Sequence, residues 1–103
     1  MTVDEVLAAL ADPMRRRLLD LLAEKGECSA TVLAAELPVT RQAVVKHLAV
    51  LEKAALVAGR RHGREVRYAV RPEALGATAR WMDHVASEWD RRLAVIKKIA
   101  EES

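Results

Sequence analysis

The segment of residues 40–57, TRQAVVKHLAVLEKAALV, most constrains what this 103-residue chain can fold into. Val44, Leu48 and Leu51 recur at positions i, i+4 and i+7, which predicts one amphipathic helix with a buried apolar stripe. A helix that only packs against a core has no need of polar side chains at its start, so we expect a second face to contact a partner. That second face carries Arg41, Gln42 and Lys46.

The residues before this segment predict a helix-turn-helix pair. Thr40 is a residue type that caps helix N-termini. Pro38 breaks the short helix before it, which either Ser29 or Thr31 is suited to cap. Two helices with so short a break between them predict a helix-turn-helix over about residues 29–54. Two further helices are predicted upstream, over residues 3–11 and from Asp12-Pro13 to about Glu24.

After this helix, the apolar residues no longer recur at helical spacing but at every second position. Val66, Tyr68 and Val70 alternate with charged or small residues, which is typical of a strand. A second extended run precedes them, and His62-Gly63 lies between the two runs as a tight turn. We therefore predict a β-hairpin over about residues 56–71.

A long helix is predicted from residue 72 to about residue 101. About thirty residues at about 1.5 Å each reach about 45 Å, which is more than the body of so small a domain covers. The apolar residues keep a three-four spacing to its end. We interpret this helix, packed with residues 3–11, as a dimerisation element. The residues expected to form the dimer contact are Val6, Leu10, Trp81, Val85, Trp89, Leu93 and Ile96.

These elements predict a single domain over residues 1–103, mainly α with a small β-hairpin. Only 3% of the residues are aromatic and none is Phe, so the core is expected to consist of Leu, Val and Ala. No run approaches the roughly eighteen apolar residues of a membrane span. The first ten residues, MTVDEVLAAL, carry acids where a secretion signal needs cations. Together with a single cysteine, Cys28, these features indicate the cytoplasm.

The net charge of +2 conceals an uneven distribution of charge. Residues 41–71 contain eight Lys or Arg side chains and two acids, which places +6 on this segment and −4 on the rest. Like charges at this density repel one another unless a polyanion neutralises them. A solvated basic surface is the alternative, but the pattern favours double-stranded DNA as the partner.

The order of these elements resembles the winged helix-turn-helix repressors of the ArsR/SmtB family. The resemblance is carried by ALADPMRRRLLDLL (9–22), LPVTRQAVVKHLAVLEKAALV (37–57) and GRRHGREVRYAV (59–70), and it covers about residues 3–75. It implies a homodimeric, sequence-specific DNA-binding repressor that acts on a pseudo-palindromic operator. Metal-sensing members carry a Cys-x-Cys pair where this chain has Ser29 and Thr31. The chain therefore looks like a branch without metal sites, and we expect no metal or cofactor.

Winged helix-turn-helix proteins insert the second helix of the motif, N-terminal residues foremost, into the major groove of DNA. Thr40 is expected to hold a phosphate through its hydroxyl and the backbone N–H groups beside it. Arg41 has the donors for guanine O6 and N7, and Gln42 matches adenine N6 and N7. Val45 suits a thymine methyl group, and Lys46 suits either a base or a phosphate.

The hairpin offers a second set of contacts. Arg61 and Arg64 flank the predicted turn, so we expect them to bind phosphate or the minor groove. Arg67 either contacts DNA or pairs with Glu65 or with the helix behind the strand. In the helix, His47 lies next to the apolar stripe and is either a DNA contact or partly buried.

The sequence is also compatible with two other functions. The basic face could dock an acidic protein, or the DNA-binding protein could sense a metal at His84 and Glu88 or an oxidant at Cys28. An ordinary charged helix surface and a buried structural thiol are the simpler interpretations. The arginines at 15–17 suit phosphate contact or salt bridges between helices equally well. No phosphate-binding glycine loop or nucleophile motif supports an enzyme, and the sequence identifies no effector.

Overall fold

The computed structural model describes residues 2–102. Its elements are α1 (Val3–Leu10), α2 (Pro13–Lys25), β1 (Cys28–Ser29), α3 (Ala30–Ala35), α4 (Arg41–Lys53), β2 (Val57–His62), β3 (Glu65–Val70) and α5 (Pro72–Glu102). The strands form one antiparallel sheet in the order β1-β3-β2. The predicted mainly helical fold with a small β-hairpin is confirmed, and β1 is an addition that the sequence did not predict. The two ends of the predicted domain, Met1 and Ser103, lie outside the described residues.

Side-chain caps fix where the first four helices begin. At each start, an oxygen of the residue before the helix accepts hydrogen bonds from backbone N–H groups that have no partner inside the helix. Both predicted caps, Asp12 and Thr40, are confirmed, and Ser29 rather than Thr31 caps α3. The bonds run from Glu5 N to Thr2 Oγ1 (3.1 Å), Met14 N to Asp12 Oδ1 (2.7 Å), Val32 N to Ser29 Oγ (3.3 Å) and Ala43 N to Thr40 Oγ1 (3.1 Å).

The core is aliphatic, as predicted, and α4 runs through its centre. Val44, Leu48 and Leu51 are fully buried, which confirms the predicted stripe. In α2, Leu19 is buried, whereas Leu21 is half-buried and packs against the core. Other side chains with almost no exposed surface are Val6, Leu18, Leu22, Leu33, Leu56 and Val57. Helices α1, α2 and α3 and strand β2 thus pack against α4.

The end of α4 turns sharply into β2 through a residue in the left-handed conformation. Leu56 N donates to Leu51 O (2.9 Å) and Ala55 N donates to Glu52 O (2.9 Å). This pair of bonds is the Schellman arrangement that satisfies the last carbonyls of a helix. Ala55 has φ +60°, although glycine is the usual residue at this position because it has no Cβ to clash.

The hairpin differs from the prediction at its turn. Strand pairing continues to His62 and Glu65, so the two turn residues are Gly63 and Arg64 rather than His62-Gly63. Gly63 has φ +63°, a value that glycine adopts without steric cost, and this requirement places it at the first turn position. We call β2, β3 and this turn the wing.

Helix α5 extends far beyond the rest of the molecule. It is a single helix of 31 residues, and the molecule measures 69 Å along its longest axis. The radius of gyration is 18.7 Å, against about 13 Å for a compact domain of this length. Ala74 and Thr78 are buried near the start of α5, whereas most of its later apolar side chains are exposed. Within residues 2–102, no helix is both long and apolar enough to cross a membrane.

We predict that Ala55→Gly raises the free energy of unfolding by about 1 kcal/mol. A left-handed L-residue costs about 1–2 kcal/mol, and glycine avoids this cost at the expense of some backbone entropy. Urea unfolding followed by circular dichroism at one protein concentration measures the change. Ala54→Gly is the matched control, because Ala54 has φ −80° and should lose stability with the same substitution. Equal losses in both variants would contradict the strain explanation.

Candidate nucleic-acid interface

The exposed face of α4 contains the residues predicted to read DNA. Five of the predicted contacts are exposed at or just before the first turns of the helix: Thr40, Arg41, Gln42, Val45 and Lys46. His47 is half-buried, which matches the second of its two predicted settings. The face is oriented this way because the opposite side of α4 is fully buried in the core.

The wing lies beside this face and forms a cleft with it. The cleft has a volume of about 390 Å³. Arg41 and Val45 line it from α4, and Arg64 and Val66 line it from the wing. The fold therefore brings together one residue predicted to read guanine, one predicted to contact a thymine methyl and the arginine at the wing tip.

The arginines of the wing have different surroundings. Arg61 and Arg64 are exposed, and Arg64 occupies the turn itself. Arg67 is half-buried, and its Nε donates to Glu65 Oε1 at 2.6 Å. The pairing that the sequence offered as an alternative for Arg67 is therefore present. Arg67 also faces Arg60 across the strands, and two like charges there repel unless a counter-charge is near.

An exposed hydrogen bond joins the last turn of α4 to the wing. Glu52 Oε2 accepts a hydrogen bond from Gly59 N at 3.1 Å. A Cβ at position 59 would lie 3.0 Å from both Tyr68 Cε1 and Val66 Cγ1, so any other residue would force these two side chains to shift. This contact is not predictable from the sequence, since nothing in the pattern links a helix carboxylate to a strand glycine seven residues later.

The arginine cluster at the start of α2 contacts the end of α1. Arg15 Nε donates to Ala9 O (2.6 Å) and Arg15 Nη2 donates to Ala8 O (3.1 Å). Arg16 donates in the same way to Leu10 O. These guanidinium groups satisfy the free carbonyls at the C-terminus of α1, where the helix dipole also favours a cation. Arg15 also lies 3.6 Å from Asp12 at the start of its own helix. Arg15 and Arg16 therefore link α1 and α2 through hydrogen bonds to carbonyls and not through the predicted salt bridges between helices.

The residues considered for sensing have simpler surroundings. His84 Nε2 lies 3.1 Å from Glu88 Oε1, as an exposed i,i+4 pair. No group of three or more His, Cys, Asp or Glu side chains suited to a metal occurs among residues 2–102. Cys28 is buried. Burial raises the pKa of its thiol, the charge of Lys25 opposes this shift, and Glu36 adds to it.

The outer part of α5 carries a long exposed apolar surface. Val85 is half-buried, and the other predicted dimer residues of this helix are exposed: Trp81, Trp89, Leu93 and Ile96. Met82, Val95 and Ile99 are exposed beside them and widen this surface, which we call the α5 stripe. Residues on α1 differ, because Leu10 is half-buried and Val6 is buried in the core of its own chain. Val6 is therefore unavailable for the dimer contact expected of it.

Comparison with known proteins defines the class. Residues 10–60 match the model of a helix-turn-helix domain family. An ArsR-like transcriptional regulator from Rhodococcus sp. RHA1 is 45% identical and superposes with a TM-score of 0.85, over 95% of this chain and 92% of its own. The transcriptional repressor SdpR of Bacillus subtilis is 28% identical over 91 residues, which are 88% of this chain and 100% of SdpR.

A third comparison concerns a solution structure from Mycobacterium bovis, described as a homodimeric winged helix-turn-helix DNA-binding domain. It is 30% identical, with a TM-score of 0.67, over 84% of this chain and 79% of its own. The chain belongs to the ArsR family of transcriptional regulators, which confirms the resemblance seen in the sequence. It is a DNA-binding transcriptional regulator with a winged helix-turn-helix fold.

We predict that Cys28 reacts slowly with thiol reagents in the folded protein. A raised pKa lowers the fraction of thiolate at neutral pH, and burial restricts access, so the rate with Ellman's reagent should be about tenfold or more below that of glutathione. Unfolding in urea should restore the rate of a free thiol. A rate equal to that of glutathione in the folded state would instead support oxidant sensing at this residue.

Proposed function

We propose that the protein is a homodimeric repressor that binds a pseudo-palindromic DNA operator through α4 and the wing. One observation carries the proposal: Arg41 and Val45 on the exposed face of α4 and Arg64 at the tip of the wing line a single cleft. A helix fits the major groove of B-DNA, and a wing beside it reaches the neighbouring backbone or minor groove.

Each exposed residue has a role that its chemistry suits. Arg41 binds guanine O6 and N7, and Gln42 binds adenine N6 and N7. Val45 contacts a thymine methyl group, and Thr40 holds a phosphate at the helix N-terminus. Lys46 binds a base or a phosphate.

The arginines of the wing supply charge rather than base reading. Arg61 and Arg64 are exposed, so they are the main phosphate or minor-groove contacts. Arg67 contributes less because Glu65 neutralises part of its charge at 2.6 Å. Contacts of this kind release counterions from DNA, which makes the affinity depend on salt.

The dimer is proposed from the α5 stripe. Apolar side chains as large as Trp89 and Leu93 stay exposed over the outer part of the helix, which is typical of a surface that a second molecule covers. The relative from Mycobacterium bovis is described as homodimeric, which supports the same assembly here. A two-fold axis would place the two α4 helices in successive major grooves, about 34 Å apart.

Repression follows from occupancy. A dimer bound at a promoter in the cytoplasm would block RNA polymerase, and no catalytic step is needed. The similarity to the repressor SdpR supports this direction of control. Fluorescence anisotropy with DNA from upstream of its own gene tests the proposal. Affinity about a thousandfold above that for scrambled DNA would support it, whereas equal binding to every duplex tried, including those selected from a random library, would overturn it.

We predict that Arg41→Ala and Arg64→Ala separate base reading from backbone binding. Arg41→Ala should reduce the preference for operator over scrambled DNA by about tenfold or more, because a bidentate guanine contact contributes about 1–3 kcal/mol of discrimination. Arg64→Ala should weaken both duplexes about equally and lower the salt dependence. Anisotropy at two salt concentrations distinguishes the two effects. If Arg64→Ala removed only the specific binding, this division of roles would be wrong.

We predict that Leu93→Glu converts the dimer into a monomer. A carboxylate in the α5 stripe would have to be buried without a partner, which should raise the dimer dissociation constant by at least about a hundredfold. Ala94→Glu is the matched control, since residue 94 lies on the opposite, exposed side of the helix. Analytical ultracentrifugation measures both variants. A Leu93→Glu protein that dimerises as well as the Ala94→Glu protein would show that the stripe is not the dimer surface.

A further inference from the structure

Arg41 is held by a residue outside its own helix. Arg41 is the first residue of α4, and its Nε donates to Thr31 Oγ1 of α3 at 3.1 Å. Both side chains are exposed, and both line the cleft between α4 and the wing. The hydroxyl of Thr31 is free for this contact because Ser29, and not Thr31, caps α3.

The partner of Arg41 leaves its charge intact. Among residues 2–102, Arg41 forms no salt bridge with a carboxylate, in contrast to Arg67, which is paired with Glu65. A hydroxyl is a neutral acceptor, so it orients a guanidinium without cancelling the positive charge that attracts DNA. The two arginines therefore differ in function although both donate through Nε.

Because Arg41 contacts Thr31 through Nε, its other N–H donors remain available for DNA. A guanidinium has five N–H donors, one on Nε and two on each of the terminal nitrogens. With Nε bound to Thr31, the two terminal nitrogens stay available, and guanine presents the two acceptors O6 and N7 side by side. An unrestrained arginine would lose more side-chain freedom on binding a base, so the contact with Thr31 prepares the bound arrangement in advance.

We propose that Thr31 is a positioning residue that orients Arg41 for reading a guanine. The sequence preference of the protein then depends on α3 as well as on the recognition helix. This inference rests on the proposed function, because it assumes that Arg41 reads a base. Thr31 itself touches the arginine and not the base in this arrangement.

The test compares Thr31→Val, which keeps the shape and removes the hydroxyl, with Thr31→Ser, which keeps the hydroxyl. The first DNA is a duplex that the wild-type protein selects from a random library. The second is the same duplex with one guanine replaced by 7-deazaguanine, which lacks N7. The replaced guanine is the one that the protein no longer prefers after Arg41→Ala. We expect 7-deazaguanine to weaken wild-type and Thr31→Ser binding by about tenfold. The loss should shrink to about twofold in Thr31→Val. Neither substitution at Thr31 should change the affinity of the protein for scrambled DNA.

A double-mutant cycle tests whether Thr31 affects DNA discrimination through Arg41. In an Arg41→Ala background, Thr31→Val should cause no further change in discrimination. An unchanged 7-deazaguanine effect in Thr31→Val, or an equal loss with and without Arg41, would overturn the inference. Either result would leave the wild-type preference for its selected duplex in place. Equal wild-type binding to selected and scrambled DNA would instead overturn the proposed function, and this inference with it.

A measurement without DNA tests the contact between Thr31 and Arg41 independently of any change in DNA affinity. Hydrogen exchange of the Arg41 Nε–H, followed by NMR, should be slower in the wild-type protein and Thr31→Ser than in Thr31→Val. If Thr31→Val only disturbed the surrounding structure, it would not change the exchange of this one proton selectively. Equal exchange in all three proteins would show that the contact with Thr31 does not hold Arg41 in solution.

Discussion

The complete burial of one side of α4 is the constraint on which the rest of the structure depends. Val44, Leu48 and Leu51 have no exposed surface, and each such side chain contributes about 1.5–3 kcal/mol through removal from water. A rotation of α4 by one residue would turn this stripe by about 100° and expose part of it. Packing therefore determines which residues of α4 face outward, and the polar face needs no interaction of its own to be held there.

Local chemistry explains why much of this architecture was predictable. The starts of α2 and α4 follow from Asp12 and Thr40, whose side chains act on N–H groups two or three residues away. The stripe of α4 and the length of α5 follow from apolar spacing. The predicted fold was correct wherever the information lay within a few residues of the chain.

Longer-range contacts explain what the sequence did not predict. Strand β1 exists because Cys28 and Ser29 pair with Tyr68 and Arg67, about forty residues later in the chain. The turn of the wing lies one residue later in the chain than predicted, because the pairing of the strands, not the turn sequence alone, sets its position. On α1, helical periodicity identified an apolar side but could not separate Val6, buried in its own core, from a surface left for a partner.

The α5 stripe links folding to assembly. Much of the helix beyond Trp81 makes no contact with the body of its own chain, and isolated side-chain pairs such as His84 with Glu88 add only about 0.2–0.5 kcal/mol each. Helices without tertiary packing are marginally stable in water. The outer half of α5 therefore gains most of its stability from whatever covers the stripe, and dilution should loosen it as the partner dissociates.

The bond between Glu52 and Gly59 has a consequence for the DNA rather than for the protein. It joins the wing to the last turn of α4, and so favours one spacing between the two proposed DNA-binding surfaces. A duplex bound through both of the proposed surfaces would have to adapt its groove width and curvature to this spacing. The energy of that adaptation depends on base steps that no side chain touches, because pyrimidine–purine steps bend more easily than A-tracts. Part of the operator sequence would then be selected by the stiffness of the DNA itself.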